Sequence, residues 1–449
     1  MIAEMFLPPS VPVDALSGQT RPVAAADGGL LLPTPETPVV LWTGDCRDGL
    51  ARLPDQCVQA VVCSPPYYNQ RDYSTEGGLW ADGWRGELGR ETSVSAYVAH
   101  LVEIFTAVHR VLRNDGVLWL NLGDSYSNAG KWGGWTGGKH VTALHGQSGI
   151  GRPTHKPAYT GTPLPDGSLL GVPWRVAFAL QDAGWILRSE VIWAKRNPMP
   201  ESVKNRPTKS HEQIFLFSKQ GGYYYDADAV REPSTGQTGS AANFQRANAK
   251  YAESPVPGEL HGQHRTDRLP TVDTGGRNQR DVWELAGENY EGEHYAAFPT
   301  AIPRRVILAS TSAHGACPTC GTAYRRVTER TLMQIRPGPK AGSYGSATTD
   351  GLSGTMLAPA SSVTVGWAPG CTCPPADPRP CIVLDPFSGS GTTAAVASSL
   401  GRWALGLDLQ PAYTALAQAR VAAATPWQQP AVQVPEDHAD LPLFAGLGL

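Results

Sequence analysis

Residues 381–408 read CIVLDPFSGSGTTAAVASSLGRWALGLD. Cys381–Asp385 is a short apolar run ending in an acid, the mark of a buried parallel strand. Pro386–Thr393 is a tight loop whose glycines, 389 and 391, let the backbone turn sharply and approach a ligand closely. Residues 394–400 predict a helix, and Ala404–Asp408 a second strand. Strand, glycine loop, helix and strand in this order form a βαβ half of a parallel α/β sheet. The loop is not a P-loop, because no lysine follows Gly391, and it lacks the third glycine of a dinucleotide fingerprint. Asp385 stands where it can hold a cationic amino group or order the loop. Asp408, at the tip of the next strand, stands where a carboxylate accepts from ribose hydroxyls. A plain strand-to-helix turn is the bland alternative, and the strand-end Asp408 argues against it.

The same pattern recurs upstream. Residues 38–42 (PVVLW) and 58–63 (VQAVVC) are apolar runs flanked by turn residues, hence buried strands. Residues 94–112 carry Val98, Leu101, Val102, Phe105, Val108 and Leu112 at helical spacing. Asn114-Asp115-Gly116 predicts the end of that helix, and Val117–Leu122 another strand. A helix near 172–183, strands around 185–193 and 211–218, and a helix starting near Pro303 complete the regular elements. The fold class is therefore α/β.

A chain of 449 residues exceeds one ordinary core, so one large domain with insertions, or two to three lobes, is expected. The 49 glycines and 39 prolines place those insertions in loop-rich segments. No apolar run is long enough to span a bilayer, and the first residues lack the basic-then-apolar pattern of a signal peptide. The expectation is a cytoplasmic protein with no membrane partner. A net charge of −3 means that any nucleic-acid surface is a local patch.

One tetrapeptide stands out. At the end of the 58–63 strand the chain reads Ser64-Pro65-Pro66-Tyr67, with Cys63 before it. No G-x-S-x-G elbow surrounds Ser64, which argues against an acyl-transfer nucleophile. Cys63 lies inside an apolar strand and, like Cys46, Cys57 and Cys381, reads as a small buried hydrophobe.

D-P-F-S-G-S-G-T-T together with S-P-P-Y resembles the amino-group DNA methyltransferases that use S-adenosylmethionine. The tetrapeptide precedes the glycine loop in the chain, the order of that family's β class. The resemblance implies a Rossmann-like seven-stranded sheet, circularly permuted. Further segments between 38 and 424 fit it: Thr43-Gly44-Asp45 after the first strand, Ile192-Trp193-Ala194-Lys195 with Asn197-Pro198, His211-Glu212, Asp281-Val282-Trp283, and Glu293–Pro299, whose Phe298-Pro299 packs on the methionine end of the donor. It implies a cofactor site of Asp45, Phe298, Pro299, Asp385, Pro386, Phe387, Ser388, Gly389, Ser390, Gly391, Thr392 and Asp408. It also implies a catalytic tetrapeptide, Ser64, Pro65, Pro66 and Tyr67.

The chemistry explains the tetrapeptide. An exocyclic amine is a poor nucleophile because its lone pair is delocalised into the ring. Acceptors on its N–H groups turn the lone pair outward. Ser64 Oγ is one acceptor, and the carbonyl of Pro65, held by a fixed φ, is the second. Tyr67 offers a flat face to a base flipped from the duplex, with Trp193 or Tyr68 as the opposite wall. Serine at the first position goes, in the resembled family, mostly with N4 of cytosine, and aspartate with N6 of adenine. The expected activity is thus N4-cytosine methylation of double-stranded DNA, with N6-adenine the alternative. RNA or protein-amide methylation, and an inactive DNA-binding homologue, are the further rivals. The resemblance leaves open both a free-standing role and one beside a restriction endonuclease partner.

For DNA contact the acid-free segment 125–165 supplies Lys131, Lys139 and Arg152. Lys195, Arg196, Lys204, Arg206 and Lys209 form a second cluster after the strand that carries Trp193, itself a DNA-contact candidate, and Arg265, Arg268 and Arg277 lie in the expected target-recognition region. Cys317-x-x-Cys320 and Cys371-x-Cys373 read as one tetrahedral Zn²⁺ site; unliganded reduced pairs and disulfides are the other readings. Asp440–Phe444 resembles a sliding-clamp docking peptide, against a plain apolar tail. The expected organisation is a disordered leader (1–36), a catalytic half (37–230), a target-recognition region (231–290), a cofactor-binding half (291–424) with a Cys-rich insertion (311–380), and a flexible tail (425–449).

Overall fold

The computed structural model describes residues 21–23, 32–70, 73, 75, 77–127, 164, 165, 167–198, 200–232, 277–288, 298–331, 334–337, 354–358 and 361–426. They divide between two compact units, one built on 7–225, 281–323 and 370–449, the other on 226–280 and 324–369.

The larger unit is a nine-stranded sheet. Its strands are β1 (Arg21–Val23), β2 (Val39–Thr43), β3 (Val58–Cys63), β4 (Leu112–Leu122), β5 (Ile186–Lys195), β6 (His211–Ser218), β7 (Val282–Leu285), β8 (Ile382–Asp385) and β9 (Trp403–Asp408). They lie in the order β1-β2-β9-β8-β3-β4-β6-β5-β7. Only the β4–β6 and β6–β5 pairings are antiparallel. Seven of these strands are the seven expected. The additional two are edges: β1, inside the segment expected to be a disordered leader, pairs with β2, and β7 pairs with β5.

Among the described residues six α-helices accompany the sheet: α1 (Cys46–Ala51), α2 (Val94–Val111), α3 (Val172–Asp182), α4 (Ala301–Ser310), α5 (Thr392–Ser399) and α6 (Pro411–Ala422). Side chains alternate between the two faces of each central strand. Val61, Cys63, Leu118 and Leu120 join Leu101, Phe105 and Val108 of α2 in one core. Val62, Val117 and Trp119 join Ile302 and Val306 of α4 and Ala394 of α5 in the other. Both faces are covered, which is why β3 and β8 are buried at every position. No helix among the described residues is long and apolar enough to cross a membrane.

Asn114–Gly116 does not end α2 as its turn chemistry predicts. The helix passes at Val111 directly into β4. Val58 pairs with Leu112 and Ala60 with Val117, so residues 113–116 bulge from the strand opposite Gln59.

In the smaller unit Arg325–Thr331 pairs antiparallel with Ser361–Ala368, and Gln334–Pro337 with Gly354–Ala358. Arg326 bonds Asp226 at 2.8 Å and lies over the Trp367 ring. The expected Cys-rich insertion is therefore split, with its four paired cysteines in the larger unit and residues 324–369 in the smaller.

Candidate active site

β8 leads through α5 to β9 on one side, and β3 leads through α2 to β4 on the other. The direction of winding changes between β8 and β3, and in open α/β sheets the crevice at the carboxyl ends of such a pair is the binding site. A pocket of about 170 Å³ opens there. It brings together the tetrapeptide at 64–67, the glycine loop at 385–390, Thr392, Asp45, Phe298 and Asp408. Gly391 and Pro299 are the two expected cofactor residues outside the lining.

The loop is tied to the next strand by its own backbone. Gly389 N–H donates to Asp408 Oδ2 at 2.8 Å, and Gln410 N–H donates to Oδ1 at 2.8 Å. Each carboxylate oxygen keeps a further acceptor site. Burial raises the Asp408 carboxyl above its ordinary range against these bonds. Asp385 takes the Phe387 amide at 3.0 Å, and burial pushes its carboxyl up to about 7. Gly391 caps α5 with φ 76, and a Cβ there would stand 2.6 Å from that of Ala417 on α6. Only glycine satisfies both the left-handed turn and the close helix contact.

Asp45 caps α1 and forks onto Arg47, at 3.0 Å to Nε and 2.6 Å to Nη2. Burial opposes ionisation there, but the Arg47 bonds and charge outweigh it and hold the carboxyl below its usual range. Arg47 in turn lies 4.1 Å from the Trp80 ring, which also lines the pocket.

The tetrapeptide is anchored from behind. Tyr67 OH donates to Glu212 Oε2 at 2.7 Å and accepts from Ser64 Oγ at 3.2 Å and from Asn121 Nδ2 at 2.6 Å. Glu212 is also held by Asn121 Nδ2 at 3.0 Å and by Lys195 Nζ. Burial, with the Glu212 charge second, pushes the Tyr67 phenol well above the tyrosine range, so it stays a proton donor. The phenol gives its single proton to Glu212, so the proton in the Ser64–Tyr67 bond is the serine's. Ser64 Oγ also takes a long contact from Asn121 Nδ2 at 3.5 Å, which leaves one of its lone pairs for the pocket. The Pro66 carbonyl accepts from Tyr97 OH at 2.8 Å, whereas the Pro65 carbonyl has no donor among the described residues. The Tyr67 ring lies against Gly123, where a Cβ would come within 2.5 Å of it. Ser64 and Pro65 both line the pocket, and each carries an oxygen able to accept a hydrogen bond.

Residues 58–317 and 379–419 match the family described as DNA methylase, N6_N4_Mtase. The chain belongs to this family. The methylase is 32% identical over 382 residues to the Type II methyltransferase M.SmaI of Serratia marcescens, covering 84% of this chain and 89% of that one. It is 31% identical to M.Cfr9I of Citrobacter freundii over 85% and 87% of the two chains. To M.SfiI of Streptomyces fimbriatus it is 40% identical over 55% and 50%.

S-adenosylmethionine is the methyl donor of the family, and the residues of the methylase fit it. The glycine loop lines the pocket, the strand-tip Asp408 offers acceptors, and Phe298, Tyr73 and Tyr413 supply apolar wall. Ser388, also in the lining, holds a buried hydroxyl oxygen without a partner among the described residues.

Sequence reasoning missed several lining residues of the methylase: Tyr73, Thr75, Trp80 and Glu87 before α2, and Gln410 and Tyr413 after β9. Gln410 Nε2 donates to the Tyr73 carbonyl at 2.8 Å, joining these two segments. Nothing in their local pattern marks them.

The expected DNA-facing residues need correction. Trp193 is 5% exposed, packs in the core with Trp283, and donates its indole N–H to Leu285 O at 3.0 Å; it forms no wall for a base. Tyr68 is 1% exposed and packs on Tyr97. Lys195 serves Glu212, Arg206 bonds Glu201 at 2.7 Å and covers Tyr126, and Arg277 pairs with Glu232 at 3.0 Å. Arg196 and Lys204 are exposed. Lys131, Lys139, Arg152, Arg265, Arg268 and the 440–444 peptide lie outside the described residues. Cys63 is buried and its thiol is pushed well up by burial, as befits a core residue.

Proposed function

We propose that this methylase transfers a methyl group to N4 of a cytosine flipped out of double-stranded DNA. The reading rests on Ser64: a neutral hydroxyl whose own proton is committed to Tyr67, set beside the Pro65 carbonyl in the same pocket as the glycine loop. Ser64 Oγ and Pro65 O accept the two N–H groups of the amine. With both N–H bonds held, the nitrogen lone pair turns out of the ring plane. S-adenosylmethionine, when bound, supplies an electrophilic methyl on a sulfonium. Asp385, Asp408 and the 386–390 loop would hold that donor, and Phe298 would cover it.

Glu212, Asn121 and Lys195 act one step removed. They fix the Tyr67 hydroxyl, which fixes the Ser64 rotor, so the acceptor is oriented before the base arrives. Cytosine is favoured over adenine because the first tetrapeptide position is serine, the residue this family pairs mostly with N4. The similarity to proteins named Type II methyltransferases further supports a modification role beside a restriction endonuclease.

Labelled methyl incorporation from S-adenosylmethionine into duplex DNA, total RNA and protein tests the substrate class. Label in DNA alone is expected; label in RNA or protein with none in DNA overturns the proposal.

A further inference from the structure

Away from the pocket, Cys317, Cys320, Cys371 and Cys373 form a second constellation. Their sulfurs all lie within 4.8 Å of one another, and every cysteine is free. Four thiolates at about 2.3 Å around a tetrahedral ion stand roughly 3.8 Å apart, so small side-chain adjustments close the site. The first pair sits on a metal-binding type of turn. Gly321 N–H donates to Cys317 O at 2.8 Å, Cys317 N–H donates to Thr322 O at 2.9 Å, and Gly321 adopts φ 72. An all-sulfur set selects zinc or iron over hard cations such as Mg²⁺ or Ca²⁺.

The location decides the role. Gly321 O accepts from Gln59 Nε2 at 2.9 Å, and Gln59 Oε1 accepts from Ile382 N–H at 2.6 Å. Arg113, from the β4 bulge, donates to Cys320 O and, at 3.0 Å, to Thr322 Oγ1. The cysteine turn thus rests on the amino ends of β3 and β8, at the end of the sheet opposite the pocket.

We propose that Cys317, Cys320, Cys371 and Cys373 bind one Zn²⁺ as a closed tetrahedral site that ties residues 317–323 and 370–373 together beneath the strands carrying the tetrapeptide and the glycine loop. Four protein ligands leave no open position, so the ion stabilises and takes no part in the reaction.

Elemental analysis of the full-length protein, purified without chelator, is expected to give about one zinc per chain. Cobalt substitution should give the intense ligand-field bands of a tetrahedral thiolate site. The Cys371→Ser/Cys373→Ser protein should lose both signals and melt at lower temperature. Should that variant fail to fold, the wild-type stoichiometry and cobalt spectrum still decide. Less than about 0.2 zinc per wild-type chain, or an octahedral cobalt spectrum, overturns the proposal; so does stoichiometric iron in place of zinc.

Discussion

Tyr67 OH donates a hydrogen bond to Glu212 Oε2 across 2.7 Å, although 145 residues separate them in the chain. The bond joins the loop after β3 to the second residue of strand β6 and sets the direction of the protons behind Ser64. On this account Glu212→Ala lowers kcat about tenfold through a disordered acceptor, while the Kd for S-adenosylmethionine is little changed. Tyr67→Phe acts through the same chain, so the double variant should cost no more than the larger single effect. Additive losses would place Glu212 in a different role.

Ser64→Ala removes an acceptor used while charge develops on the nitrogen. Turnover should fall by roughly 100-fold or more, with donor binding by calorimetry near the wild-type value. Unchanged turnover would refute the acceptor role.

Asp385 carries a pH signature. Its folded-state pKa of about 7 lies above the ordinary 3.8, so the folded chain holds a proton that the unfolded chain releases. The stability this group contributes is full below the unfolded value and is lost as pH rises through about 7. Between about pH 5 and about pH 8, urea midpoints should fall more for the wild type than for Asp385→Asn. Parallel midpoints would show that burial does not shift this carboxyl.

Gly391→Ala places a Cβ in a left-handed position and 2.6 Å from that of Ala417. The expected cost is about 1–3 kcal/mol of stability, visible as a lower urea midpoint. A midpoint equal to the wild type would mean that α5 and α6 can part freely.

Gln59→Leu breaks a buried bridge among β3, Ile382 and Gly321, leaving the Ile382 amide and Gly321 carbonyl without that partner. The loss should be about 1–3 kcal/mol, again read from denaturant midpoints, with kcat nearly preserved because the bridge lies far from the pocket.

What the sequence made legible was local. The 381–408 unit and the tetrapeptide are each contiguous, with their punctuation of Gly and Pro, and the resemblance supplied their partnership before the sheet order placed them side by side. Contacts made by distant segments carried no such signal. Glu212 and Asn121 are ordinary polar residues at strand ends, and only the pairing of β4 with β6 brings them to Tyr67. In sequence Trp193, an aromatic next to Lys195 and Arg196, looks like part of a nucleic-acid surface. β7, an edge strand too short to announce itself, buries it instead. The chemistry of Asn114-Asp115-Gly116 suits a bulge as well as a helix terminus, and pairing with β3 selects the bulge.

The most direct test of the central claim is mass spectrometry of nucleosides from duplex DNA methylated by the purified protein. The account predicts N4-methylcytosine, absent from DNA treated with the Ser64→Ala protein. N6-methyladenine alone would contradict it.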